Sequence, residues 1–202
     1  ASVAAADQTL EFLVIPLDAP VESLAEQLVT KLGPEGTAVL EALPPFGSEA
    51  SALWEKMLSL APRGGIVFVA AAPDENRTNP ARDMANQLCA VSAGLRVVAQ
   101  QCPAVPIIFA THGAVGAKTG HAWMASALWG FARVARNEFG QLRIRCIDLD
   151  ADMTFPDGVT ELAAELRSRD REDEVLLKAR SRQVRRVVAE DHLATHRLAP
   201  DE

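Results

Sequence analysis

One stretch, from His121 to Asp150, constrains this chain more than any other. HAWMASALWGFARVARNEFGQLRIRCIDLD reads as one long helix handed directly to one strand. Met124, Ala127, Leu128, Phe131, Val134 and Ala135 recur at three and four residues, so they share one helical face, the expected core face. Trp129 falls on a neighbouring face, because each residue turns the helix by about 100°. Arg133, Arg136 and Asn137 point elsewhere. Thr119 stands where an N-cap belongs, and Gly140 is expected to stop the helix in the left-handed conformation that glycine adopts at little steric cost. Leu142, Ile144, Cys146 and Ile147, interleaved with Arg143 and Arg145, continue as a half-alternating strand to Asp148-Leu149-Asp150. So short a turn between helix and strand is the αβ half of a βαβ unit.

The rest of the chain repeats this alternation. Leu10 to Leu17 reads as a buried strand and Val21 to Leu32 as a helix with Leu24, Leu28 and Leu32 on one face, stopped by Gly33-Pro34. Thr37 to Leu43 reads as a short strand, and Ser48 to Leu60 as a helix carrying Leu53, Met57 and Leu60. The β-branched run after Gly64-Gly65 suits a central parallel strand covered on both faces. Residues 72–80 are punctuated as a loop. Ala81 to Cys102 is a long helix buried along Leu88, Val91, Leu95 and Val98, and VPIIFAT is the next strand. Phe155-Pro156-Asp157 opens a helix through Leu166, and Glu174–Arg180 with Gln183–Ala189 close the chain as a strand pair. The pattern predicts an α/β fold, a mostly parallel, doubly wound sheet with helices on both faces. Residues 1–190 form the expected domain, and residues 191–202 a flexible tail.

Composition narrows the function classes. A net charge of −7 argues against nucleic acid as a partner. No apolar run approaches the roughly 20 residues needed to cross a bilayer. The start, ASVAAADQTL, lacks the basic and apolar regions of a secretion signal, which implies the cytoplasm. Cys89, Cys102 and Cys146 are odd in number, share no metal-ligand spacing and read as ordinary thiols in a reducing compartment. The mixed charges from Arg167 to Arg186 read as a solvated surface.

The positions where chemistry could reside lack its components. A dinucleotide-binding fold places glycines in its first strand-to-helix turn, but that turn is Leu17-Asp18-Ala19-Pro20-Val21, whose carboxylate opposes phosphate. The one glycine-rich strand-to-helix turn, Thr111 to Gly120, ends in an Ala117-Lys118-Thr119 that faintly resembles a P-loop. That motif needs glycine where His112 and Ala117 stand, so a flexible loop is the stronger reading. The chain contains no tyrosine to serve as a short-chain reductase's proton donor. His121 stands ahead of the long helix with Lys118 and Ser126 nearby, but no residue is evident to tune it. Ser92 lacks the glycines of a nucleophile elbow. His192 and His196 are spaced for zinc on a helix, without a third ligand near. No catalytic, cofactor-binding or metal-binding residue is therefore expected.

Ala127-Leu128-Trp129-Gly130-Phe131-Ala132-Arg133-Val134, then Glu138, then Ile147-Asp148-Leu149-Asp150, resembles the ketoreductase region of modular type I polyketide synthases. It is most similar to the structural subdomain, the truncated Rossmann-like half ahead of the catalytic half, from Gly65 to about Val188. The resemblance implies a non-catalytic scaffold that packs against the catalytic half and neighbouring synthase domains. It also implies that NADPH and the carrier-bound β-ketoacyl substrate belong to the catalytic half, with no cofactor bound here. Asn137-Glu138-Phe139 in place of the family's Glu-His-Pro, and a hairpin turn near Ser181 without glycine, suit a pseudo-ketoreductase. The closing strand pair is expected beside the junction, with Leu176 and Val187 toward the partner. Two other classes remain open: a stand-alone reductase using His121 or Lys118 as its acid, and an interaction module that spaces synthase domains.

Overall fold

The computed structural model describes residues 10–17, 24–33, 37–60, 62–70, 79–115, 122–168, 170 and 172–186. Strands and helices alternate: β1 (Leu10–Pro16), α1 (Leu24–Leu32), β2 (Thr37–Leu40), α2 (Ala50–Leu58), β3 (Gly65–Ala70), α3 (Pro80–Gln101), β4 (Ile107–His112), α4 (Ala122–Glu138), β5 (Ile144–Leu149), α5 (Phe155–Arg167), β6 (Glu174–Lys178) and β7 (Ser181–Val184). They build one seven-stranded sheet in the order β2-β1-β3-β4-β5-β6-β7. Every pairing is parallel except the closing β6–β7 hairpin. The expected doubly wound sheet is what forms.

Alternation along the strands divides the core into two layers. Leu13, Ile15, Ile66, Phe68, Ile107, Phe109, Ile144 and Cys146 face α2, α3 and α4. Val14, Val67, Val69, Ile108, Ala110, Ile147, Leu149, Val175 and Leu177 face α1 and α5. β3 and β5 are buried along their whole length, as strands with helices on both faces must be. Aromatic rings cross the first layer: Phe68 stacks on Phe109 at 5.2 Å, and Trp54 meets Phe68 edge-on at 6.0 Å. Gly94 lets α3 approach α2, since a Cβ there would lie 2.4 Å from the Trp54 ring.

The structure corrects several expectations. The face of α4 turned to the sheet runs through Met124, Ala125, Leu128, Trp129, Ala132 and Ala135. Trp129 is buried, Phe131 half-buried, and Val134 is 59% exposed. The small Ala132 and Ala135 let the helix close on the sheet, and the indole N–H of Trp129 has a partner inside; apolar spacing alone registers neither. Gly140 is not left-handed: Leu142 N–H bonds the Phe139 carbonyl, so the chain turns on with ordinary backbone angles.

On α2, Trp54, Met57 and Leu58 are buried, whereas Leu53 and Leu60 lie at 37% and 42% exposure. Arg145 is buried in an otherwise fully buried strand, because Glu165 of α5 meets it at 2.6 Å. The closing strands are shorter than expected and β7 starts at Ser181, with Arg180 left-handed at φ 62° in the turn. Leu176 is 6% exposed within the domain, so it does not face a partner. The loop expected at 72–80 begins outside the described residues, as do Val187 and the tail after residue 190.

Candidate functional site at the β4–α4 turn

In a doubly wound sheet, loops at the carboxyl ends of the strands form the ligand crevice. Among the described residues at that end stands Asp148, a fully buried carboxylate one residue from the end of β5. Register places it beside Thr111 of β4 and Leu176 of β6. The chain leaves β4 through Gly113, whose φ of 73° turns the next amides back toward β5. Ala114 N–H donates to Oδ1 of Asp148 at 2.9 Å, and Val115 N–H to Oδ2 at 2.8 Å. The Thr111 hydroxyl donates to Oδ1 at 2.7 Å and accepts the indole N–H of Trp129 at 2.9 Å. From α4, Ser126 Oγ donates to the Ala114 carbonyl at 2.8 Å. The loop is thereby tied to β5 and to α4.

Two electrostatic effects oppose each other at Asp148. Burial pushes its carboxyl pKa up from the ordinary range, and this effect dominates. The amides of Ala114 and Val115, the Thr111 hydroxyl and nearby His112 pull the other way. His112 lies within 3.3 Å (Nε2) of the Met153 carbonyl and meets the Phe155 ring edge-on at 5.3 Å.

Glu174 and Glu165 each gather a cluster of arginines. Glu174 accepts both Nε and Nη2 of Arg133, at 2.7 and 2.8 Å, and Nη1 of Arg136 at 3.2 Å. The Arg133 bond, ahead of the Arg136 bond, holds the Glu174 carboxyl below the usual range despite desolvation. Glu165 is shared by buried Arg145 and by Arg182, which approaches it at 2.7 Å and also contacts Asp170. The expected solvated stretch from Arg167 to Arg186 therefore contributes to a partly buried ionic network.

Asp18, Lys118, Thr119, His121, His192 and His196 lie outside the described residues. Ser126 serves the loop bond, and Ser92 is half-buried on α3. Cys89 is exposed, Cys102 half-buried, and Cys146 buried with its thiol pushed up to about 12 by desolvation. Among the described residues no group of three or more His, Cys, Asp or Glu side chains is placed to hold a metal ion. Nor, among them, is any helix long and apolar enough to cross a membrane. Sequence reasoning missed Asp148 as an organising group. The available signal was an acid flanked by Ile147 and Leu149 in a strand expected to be covered.

Comparison with known proteins agrees with this architecture. Residues 15–187 match the family model of the Rossmann fold domain of the polyketide synthase extender module SpnB. No curated protein matches the chain. Among solved structures, the chain is similar to a multidomain adenylation, ketoreductase and pseudo-Asub structure from a keto acid-selecting NRPS module, at 15% identity and TM-score 0.61. That similarity covers 90% of this chain and 17% of the other. It is also similar to A-type ketoreductases from a modular polyketide synthase, at 17% identity and TM-score 0.59, covering 88% of this chain and 38% of the other. At such identities these structures speak for the shared fold, and this chain spans well under half of each. With the family model matched over most of its length, the chain belongs to the Rossmann-fold domain family of polyketide synthase extender modules.

Proposed function

We propose that this domain is the non-catalytic structural half of the ketoreductase (or pseudo-ketoreductase) region of a cytoplasmic type I polyketide synthase. It supports a catalytic half that reduces carrier-bound β-ketoacyl chains with NADPH. The observation that carries the reading is the fate of the polar groups at the β4–α4 turn. Among the described residues of that turn, the Ala114 and Val115 amides and the Thr111 hydroxyl are engaged by Asp148. A cofactor phosphate there would meet a buried carboxylate. The turn after β1 has no glycine and carries Asp18. These residues do not fit a dinucleotide, and the reaction is assigned to the partner half.

The outer side of α4 supports the scaffold role. Trp123 and Val134 are exposed at 43% and 59%, and a Cβ on Gly130 between them would meet nothing within 4 Å. Arg185, just past β7, has its guanidinium 6.0 Å from the Trp129 ring, so the segment after β7 starts on the α4 side. The catalytic half is accordingly expected to pack on this side of the domain. Calorimetric titration of the isolated chain with NADPH and NADH tests the division of labour. No saturable binding is expected at millimolar cofactor. A dissociation constant in the micromolar range contradicts it.

A further inference from the structure

We propose that the β4–α4 turn is an anion-binding nest whose resident ligand is the chain's own Asp148 carboxylate. The inference goes beyond the scaffold reading, because it holds whether or not another domain packs on α4. Consecutive amides that follow a left-handed residue form a concavity of positive partial charge suited to an oxyanion. Gly113 at φ 73° supplies the left-handed residue, and its own N–H is engaged by the Leu149 carbonyl. The next two amides converge on the two oxygens of one carboxylate, at 2.9 and 2.8 Å. Thr111 adds a hydroxyl donor on the sheet side, oriented by the indole of Trp129. That is the donor set of a built site for a small planar oxyanion, with the anion itself fully buried and supplied in cis from β5.

This accounts for Gly113 at the end of β4 in a chain whose first strand-to-helix turn lacks the glycines of a nucleotide site. The glycine shapes the nest, and the carboxylate both closes it to external phosphate and holds Ala114 and Val115 in place. The nest, once emptied, should accept a carboxylate of formate size; a tetrahedral phosphate is larger than the group it would replace.

Asp148→Ala removes the resident anion and leaves the Gly113 turn intact. Thermal unfolding of this variant is followed with rising sodium formate against sodium chloride at equal ionic strength. Formate should raise its midpoint saturably, chloride should not, and wild type should respond equally to both salts. Equal response of the variant to the two salts overturns the proposal, as does a formate-specific gain in wild type. If Asp148→Ala does not fold, the wild-type protein decides by nuclear magnetic resonance. The Cγ of Asp148 is followed through an acid titration together with the amides of Ala114 and Val115. Both amides should shift with the Cγ transition, apart from any step belonging to His112, the ionisable neighbour among the described residues that acts on Asp148. Amides that stay still through it overturn the proposal.

Discussion

Trp129 and Phe131 stand two positions apart on α4, and their side chains do unequal work. Trp129 is 3% exposed and its N–H holds Thr111, whereas Phe131 is half-buried with its ring edge-on to Phe109 at 6.0 Å. Trp129→Ala should therefore cost about 3–5 kcal/mol in chemical denaturation, and Phe131→Ala distinctly less. Equal costs would mean that the buried face of α4 is misplaced. Glu174 makes a prediction about acid. Arg133 and Arg136 lower its folded-state pKa, so the stability it contributes is present above the unfolded carboxyl value of about 4.3 and is lost as pH falls through the folded value. Glu174→Gln should flatten this part of the acid limb; an unchanged limb means the pair contributes nothing. At this scale the sequence was least legible. Periodicity marks which residues are apolar, but which of two adjacent flanks turns inward depends on small residues at the contact and on whether a polar tip finds a partner. The pairing of Asp148 with loop amides more than thirty residues earlier follows from strand register, which no local pattern encodes.

Two glycines inside helices give opposite predictions. Gly94→Ala would put a methyl 2.4 Å from the Trp54 ring, and overpacking should cost about 1–3 kcal/mol despite better helix propensity. Gly130→Ala, with open space above it, should stabilise the isolated chain by up to about 1 kcal/mol. If the outer side of α4 receives a partner, the same change should weaken that association. Differential scanning calorimetry of both variants checks the signs, and a stabilising Gly94→Ala would contradict the α2–α3 packing. Between α5 and β5, Glu165→Ala should cost about 3–5 kcal/mol, because it strands Arg145 at 4% exposure. Elements were the most legible level. α1 keeps Leu24, Leu28 and Leu32 on its buried face and α3 keeps Val91, Leu95 and Val98, since leucines and valines at regular helical spacing mark the inner side. On α2 the spacing of Leu53, Met57 and Leu60 points to one face, and of these Met57 alone is buried, because the bulky Trp54 turns inward and sets the orientation.

The whole molecule is a parallel sheet of six strands closed by one antiparallel strand, with helices on both faces and the start of the β4–α4 turn held by the buried Asp148 carboxylate. Alternation of strand and helix made this fold class readable. The β2-β1-β3 order was not, because strand order depends on where crossovers pass over the sheet. Among the described residues, the outer side of α4 and the β7 edge of the sheet are the surfaces the proposed scaffold role would use. Their use is the central claim, and complementation measures it most directly. This chain and the catalytic half of the same parent protein are co-expressed, run on size exclusion and assayed with NADPH and a β-ketoacyl thioester. The account predicts that the two co-elute and that the catalytic half gains solubility or reductase activity from this chain. If both halves fold, elute apart at tens of micromolar, and the catalytic half reduces the thioester equally well alone, this domain is not its scaffold.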